Sequence, residues 1–308
     1  MKNQKINSVF RAIALSITLA CLASVPSFAQ DAVENQAINN TELETTTNED
    51  VEQQIEQEKG EAETKAQDSL VSEAVDAISE TQTAIAAIDA GNKQEAIDAL
   101  ANATGKLDIV LARSPELALV PVETSVTAID TAPNKPETVK EIREDIDDAV
   151  DRGDLPTARE LLNNLMSEIR TTTVNLPLAT YPDAMKEAAR LLDADKTDAA
   201  KLVLQDALST LIVTEISLPL PVITAESLVE EAAQLEDKDK DKALQLVGDA
   251  KTQLELAEEL GYVASENQYA ELSQEIESLE SQIKADGNTG NAFTKLKDNI
   301  SAFFKSFS

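Results

Sequence analysis

One short pattern, written four times, constrains this chain more than anything else in it. An aliphatic residue precedes a polar turn, alanine follows eight positions after that residue, and another aliphatic follows twelve after it. Ile88 leads through Asp89-Ala90-Gly91-Asn92 to Ala96 and Leu100, and Val150 leads through Asp151-Arg152-Gly153-Asp154 to Ala158 and Leu162. Leu192 leads through Asp193-Ala194-Asp195-Lys196 to Ala200 and Leu204, and Leu235 through Glu236-Asp237-Lys238-Asp239 to Ala243 and Val247. Each copy reads as the bend of a helical hairpin, in which a small residue lets the second helix approach the first. Upstream of the first bend, Val71, Val75, Ile78, Ile85 and Ile88 recur at helical spacing, and Gly91 supplies a C-terminal cap.

A second element follows the first three hairpins: Leu119-Val120-Pro121-Val122, Leu176-Pro177-Leu178 and Leu218-Pro219-Leu220-Pro221. Ala158 to Pro177 and Ala200 to Pro219 are both steps of 19 residues. Proline cannot continue a helix and pushes its predecessor into extended geometry, so these segments are predicted to be buried extended connectors. The next helices then start at Pro136, Pro182 and Thr224. A last long helix begins at the capping box Ser265-x-x-Gln268 and carries Leu272, Ile276, Leu279 and Ile283. No apolar alternation of period two runs for a useful length. The predicted fold class is therefore all-α: an irregular helical bundle of repeated helical hairpins joined by Leu-Pro-Leu extended connectors. The hairpin starts lie 62, 42 and 43 residues apart, which argues against a regular solenoid.

Charge narrows the function. With 57 acidic side chains against 26 basic ones and no histidine, the formal charge is -31, which makes nucleic acid a poor partner. The missing histidine removes the usual neutral-pH acid–base group and the commonest metal ligand. At 42 % apolar the 308 residues still hold enough material for a core.

Residues 1–29 read as an export signal: Lys2, Lys5 and Arg11, then the apolar run Ala12 to Leu22, then a small-residue exit at Ser27-Phe28-Ala29 before Gln30. A competing lipoprotein signal at Cys21 has Thr18 where an aliphatic residue is usual. Cleavage between Ala29 and Gln30 is expected, which removes the only cysteine and three basic residues and takes the charge from -31 to -34. Without cysteine the exported chain has no disulfide framework. The expected destination is the periplasm. Residues 30–65, rich in Glu, Asn, Gln and Thr, are expected to be a disordered acidic leader.

The other end is more distinctive. After the linker at Gly287 to Gly290, Phe293, Leu296, Ile300, Phe303, Phe304 and Phe307 fall on one face of a helix that also carries Lys295, Lys297 and Lys305. Such a face is too apolar to stay wet. Residues 286–308 are therefore expected to be a linker and a detachable amphipathic helix. That helix would dock on the bundle, a second subunit, a client protein or a membrane surface.

The Asp89-Ala90-Gly91-Asn92 bend, the Leu-Pro-Leu connectors, Leu218-Pro219-Leu220-Pro221 and Leu260-Gly261-Tyr262 together resemble the YfdX family of bacterial periplasmic proteins over roughly residues 66–285. The resemblance implies an all-helical, exported, non-enzymatic protein of stress resistance, to acid or heat, that forms homo-oligomers. It brings no catalytic residue to carry over. Function is then expected through binding of partly unfolded client proteins or small apolar compounds. The alternative is a peripheral membrane or envelope-interaction protein that works through the C-terminal helix. No catalytic, cofactor-binding or metal-ligating residue is expected. Asp237, Asp239 and Asp241 start like a calcium loop, but Lys242 and Gly248 stand where glycine and a bidentate Glu are needed. Ser281-x-x-Lys284 lacks the companion motifs of acyl-transfer enzymes, and Gly105-Lys106 lacks the first glycine of a phosphate loop.

Overall fold

The computed structural model describes residues 49–235, 237–262, 266–285 and 289–305. The expected export signal, its expected cleavage site at Ala29 and Gln30, and residues 30–48 of the expected leader lie outside the described residues. Eleven helices and three strands are seen among the described residues. In chain order they are α1 (Glu49–Ser69), α2 (Ser72–Asp89), α3 (Lys93–Arg113), β1 (Leu119–Asp130), α4 (Pro136–Asp151), α5 (Leu155–Asn163) and β2 (Ser167–Pro177). Then follow α6 (Tyr181–Asp193), α7 (Thr197–Ser209), β3 (Ile212–Pro219), α8 (Leu220–Leu235), α9 (Lys240–Glu259), α10 (Glu266–Lys284) and α11 (Gly290–Lys305).

Helix predominates, as expected, and the extended connectors do something further. They pair with one another as a three-stranded antiparallel sheet of order β1-β2-β3, which a purely α reading does not contain. Leu119 lies opposite Pro177 and Asp130 opposite Ser167, while Glu168 lies opposite Pro219 and Asn175 opposite Ile212. The prolines are compatible with the ladder because Pro177 and Pro219 end their strands and Pro121 sits beside a bulge. Buried Asn175 fixes the start of β3, donating to the Ile212 carbonyl at 3.2 Å and to Thr214 Oγ1 at 2.9 Å. Period-two apolar patterning was missing from the sequence for a physical reason. Thr171, Thr172 and Thr173 in the central strand are half-buried on both faces, so neither face is marked by apolar residues.

Three hairpin bends share one backbone device. The helix ends with a residue in left-handed geometry, and the next amide reaches back five residues. Gly91 (φ 76°), Gly153 (φ 76°) and Asp195 (φ 57°) hold that position. Asn92, Asp154 and Lys196 donate to the carbonyls of Ala87, Ala149 and Leu191 at 2.8, 2.8 and 2.9 Å. Ala96, Ala158, Ala200 and Ala243 are all buried where the two helices meet.

The first core joins α2, α3, α6 and α7, with Val120 of β1 and Leu176 of β2 reaching into it. Its buried line on α2 is Ala74, Ala77, Thr81, Ala84 and Ala87 with Ile88, rotated from the expected aliphatic stripe. Val75 is exposed, and Val71, Ile78 and Ile85 are only partly buried at the margin. Small side chains let these backbones pack closely. Within this core the Tyr181 hydroxyl donates to Thr81 Oγ1 at 3.1 Å, and Thr81 donates to the Ala77 carbonyl at 2.8 Å. A second core is built by α8–α11. A third, smaller one joins α4 and α5 to the end of α9 through Val139, Ile146, Ala158 and Leu256.

Two boundaries differ from expectation. Helix α8 begins at Leu220 and not at Thr224, because a proline in the first turn (here Pro221) costs no intrahelical hydrogen bond. Helix α1 covers Glu49–Ser69, most of it within residues 30–65, the stretch expected to be disordered. Its apolar residues are few but aligned: Ile55 and Ala62 pack on the cluster of Ile169, Leu218, Leu220 and Ile223, and Ala66 is buried.

The bends make a sharp prediction. Gly91→Ala and Gly153→Ala should each lower stability by about 1 kcal/mol, because an added Cβ meets open space and only the backbone geometry resists it. Asp195→Gly should be neutral or stabilising by up to ~1 kcal/mol, since its exposed ion pair with Lys93 contributes little. Denaturant midpoints of the three variants check this.

Candidate functional site

The most elaborate polar arrangement lies where β2 begins and the chain leaves α9. Leu260-Gly261-Tyr262 closes α9 with the same bend as the hairpins. Gly261 takes φ 86°, its amide donates to the Glu258 carbonyl at 2.9 Å, and the Tyr262 amide donates to that of Ala257 at 3.0 Å. This geometry carries the Tyr262 ring to β2, where its hydroxyl accepts from the Ser167 amide at 3.0 Å. Glu168, buried beside it, accepts from Arg170 Nε at 2.6 Å, and Arg170 Nη2 also lies 3.2 Å from Met166 Sδ. Close by, Arg143 of α4 binds Glu259 of α9 through the side chain at 2.7 Å and the carbonyl at 3.1 Å.

Burial, then the charge of Glu168, pushes the Tyr262 phenol well up, so it stays protonated at any physiological pH. Loss of hydration also raises the carboxyl of Asp130 at the end of β1, and a hydrogen bond from Ser167 pulls it part of the way back. Chemically, the junction is a clamp. A carboxylate held by a guanidinium and a phenol that keeps its proton tie α9 to the sheet, with no base poised against a nucleophile.

Of the surfaces considered for the apolar C-terminal face, the structure places it on the chain's own bundle. Phe293, Leu296, Ile300 and Phe303 are buried in the second core against α8, α9 and α10, with Phe303 edge-on to Tyr269 at 6.5 Å. Lys295 pairs with Glu275 at 2.6 Å, and Lys297 with Glu230 at 2.9 Å. The packing has a simple cause: the Leu272, Ile276, Leu279 and Ile283 stripe of α10 also needs cover, and α11 provides it. The side chain of Phe304 and all of Phe307 lie outside the described residues.

The weaker motifs have ordinary places. Asp239 caps α9 by accepting from the Lys242 amide at 3.1 Å. Ser281 donates to the Glu277 carbonyl of its own helix at 2.9 Å, while Lys284 turns to Glu280 at 3.3 Å. Lys106, within α3, pairs with Asp76 at 2.5 Å.

What sequence reasoning missed is a surface. Ile212, Val213 and Ile216 of β3 are 41 %, 41 % and 45 % exposed, on an edge strand. The signal was present as the β-branched run Ile212-Val213-Thr214 with Ile216, which reads as strand by composition even without alternation.

The family described as YfdX protein matches residues 77–217, from within α2 through nearly all of β3. Among solved structures, the chain is similar to YfdX from Salmonella Typhi at 17 % identity and a TM-score of 0.34, over 49 % of this chain and 93 % of that one. No curated protein matches it.

Removing one partner of the clamp leaves a buried charge uncompensated. Arg170→Met should therefore cost about 3 kcal/mol, and adding Glu168→Gln should recover most of that loss. Thermal melts of both variants and their double mutant check this.

Proposed function

Because residues 77–217 match the YfdX family, we propose that the chain is an exported, non-enzymatic stress protein of the periplasm that holds partly unfolded polypeptides. The observation that carries this reading is the apolar strip of Ile212, Val213 and Ile216, laid along a sheet edge on a chain with formal charge -31. Apolar surface of this kind is what an unfolded client seeks, and dense like charge keeps the resulting complexes apart.

The carboxylates suit such a protein to acid. Asp130 and Glu58 have pKa values raised from 3.8 and 4.5, in both cases chiefly by burial, so their charged forms cost stability at neutral pH. That cost is relieved as pH falls through the folded values and is gone below the unfolded ones. Glu187, Asp195 and Glu277 run the other way. Hydrogen bonds from Arg190, Lys93 and Lys251 lower them, so their contribution is lost only in stronger acid. The fold should hold or gain between neutrality and about pH 5. Asp130→Asn should melt higher than the wild type at pH 7 and change less on acidification. A wild-type melting temperature falling steadily from pH 7 to pH 5 at low salt would contradict this.

The binding role is tested by diluting a chemically denatured model protein into buffer at pH 7 and pH 5, with and without the chain. Light scattering should be suppressed at near-equimolar ratio. Variants with Ile212, Val213 and Ile216 all changed to Thr should suppress less. No suppression by the wild type, or equal suppression by the triple variant, would overturn the reading.

A further inference from the structure

The sheet has two edge strands, β1 and β3. Its order puts β3 at an edge, with its inner side paired to β2 from Asn175 opposite Ile212 through Glu168 opposite Pro219. Unpaired edges invite further strands, and proteins usually guard them with lysine, an internal proline, a bulge or a cover. Strand β3 has few such guards. Its register with β2 runs without a bulge, its proline is the terminal Pro219, and no Lys or Arg occurs between Lys201 and Lys238.

We infer that the outer edge of β3 takes up an extended polypeptide segment as a fourth strand, and that the preferred segment alternates β-branched residues and is flanked by Lys or Arg. This rests on the client-holding reading and names the site and chemistry of that binding. Backbone groups along the edge supply the hydrogen bonds, and alternate side chains supply selectivity. Ile212, Thr214 and Ile216 share the face of β3 that continues to Leu218, which packs in the cluster with Ile169, Leu220 and Ile223. An added strand with β-branched residues facing the same way extends that apolar layer across its exposed margin. On the opposite face, Val213 lies beside Val174 and offers the same kind of neighbour.

Charge selects the occupant. The three strands carry Glu123, Asp130, Glu168 and Glu215, and their one basic residue, Arg170, is held by Glu168. A second copy of the chain would bring its own Glu215 and another formal charge of -31 to this edge. A segment flanked by Lys or Arg meets attraction instead. Because screening acts over about 8 Å at physiological salt, the cations must lie within a few residues of the paired stretch.

The test uses the full chain and three labelled peptides: Lys-Val-Thr-Val-Thr-Val-Lys, the same core flanked by Glu, and the Lys-flanked form with proline at the central Val. Fluorescence anisotropy should show saturable binding of the first, binding weaker by about tenfold or more of the second, and none of the third. Hydrogen–deuterium exchange should slow at residues 212–217 only when the first peptide is present. Ile216→Lys, at an exposed position that leaves the core alone, should abolish the binding without changing the far-ultraviolet circular dichroism. Equal binding of the proline peptide, unchanged binding by Ile216→Lys, or a mass-doubled species whose β3 amides are already protected without peptide would each overturn the inference. If the wild-type chain suppresses client aggregation and the Thr triple variant does not, yet no peptide binds the wild-type chain, client holding stands and strand addition falls.

Discussion

The ladder between β1, β2 and β3 is the constraint on which the rest of this structure depends. Each strand leaves one helical hairpin and leads into the next, so the chain runs as hairpin and strand three times before α8. Antiparallel pairing of the three strands then sets where the hairpins stand. The apolar residues of the Leu-Pro segments lie at strand ends, where they plug into helical cores: Val120 and Leu176 into the first, Leu218 with Leu220 into the cluster beneath α1. Proline ends the ladder where the chain must turn back to helix. The motif that looks like a helix breaker is thus the joint between sheet and bundle.

The helical part was legible because its signals are local. A left-handed residue after the last turn, then alanine five positions on, is decided within a dozen residues, and the bends at Gly91, Gly153 and Asp195 follow. The sheet was not legible, because its strands meet over distances of 37 to 58 residues and its Thr-rich centre marks no face. Two other outcomes share a cause. A stripe such as that of α11 shows that a surface must be covered but not by what, and α10 carried the matching stripe. Helix α1 looked too polar to order, yet Ile55, Ala62 and Ala66 are placed where a few contacts suffice. The clamp of Glu168, Arg170 and Tyr262 joins residues nearly a hundred positions apart, so spacing within either segment could not reveal it.

The two main cores differ in how they achieve cohesion. The first relies on alanine, which buries little area per residue but permits close backbone approach and carries almost no side-chain entropy cost. Leucines such as Leu100, Leu107, Leu192 and Leu204 fill the space between the alanines, and Tyr181, Met185 and the Thr81 relay add specificity. The second relies on leucine, isoleucine and phenylalanine and gains from buried area directly. An alanine-lined core tolerates enlargement poorly, since there is no slack between the helices. The second core can repack more freely around its longer side chains.

The boundary of the matched region gives this contrast a functional sense. The YfdX match ends at residue 217, within β3, and α8 to α11 lie beyond it. Helix α8 is nevertheless part of both halves, since Leu220 and Ile223 pack with Ile169 and Leu218 under the sheet while Val222 and Val229 enter the second core. Tyr262 reaches Ser167 at this same end of β2, and Arg143 of α4 binds Glu259 of α9, so the two halves are joined again there. Residues beyond the match therefore brace the sheet from beneath and from its end, where β2 meets both neighbours. The outer edge of β3 receives no such brace. A strand supported on one side and one face, with its apolar margin in solvent, is held ready in an extended conformation. That preorganisation lowers the ordering cost of adding another strand.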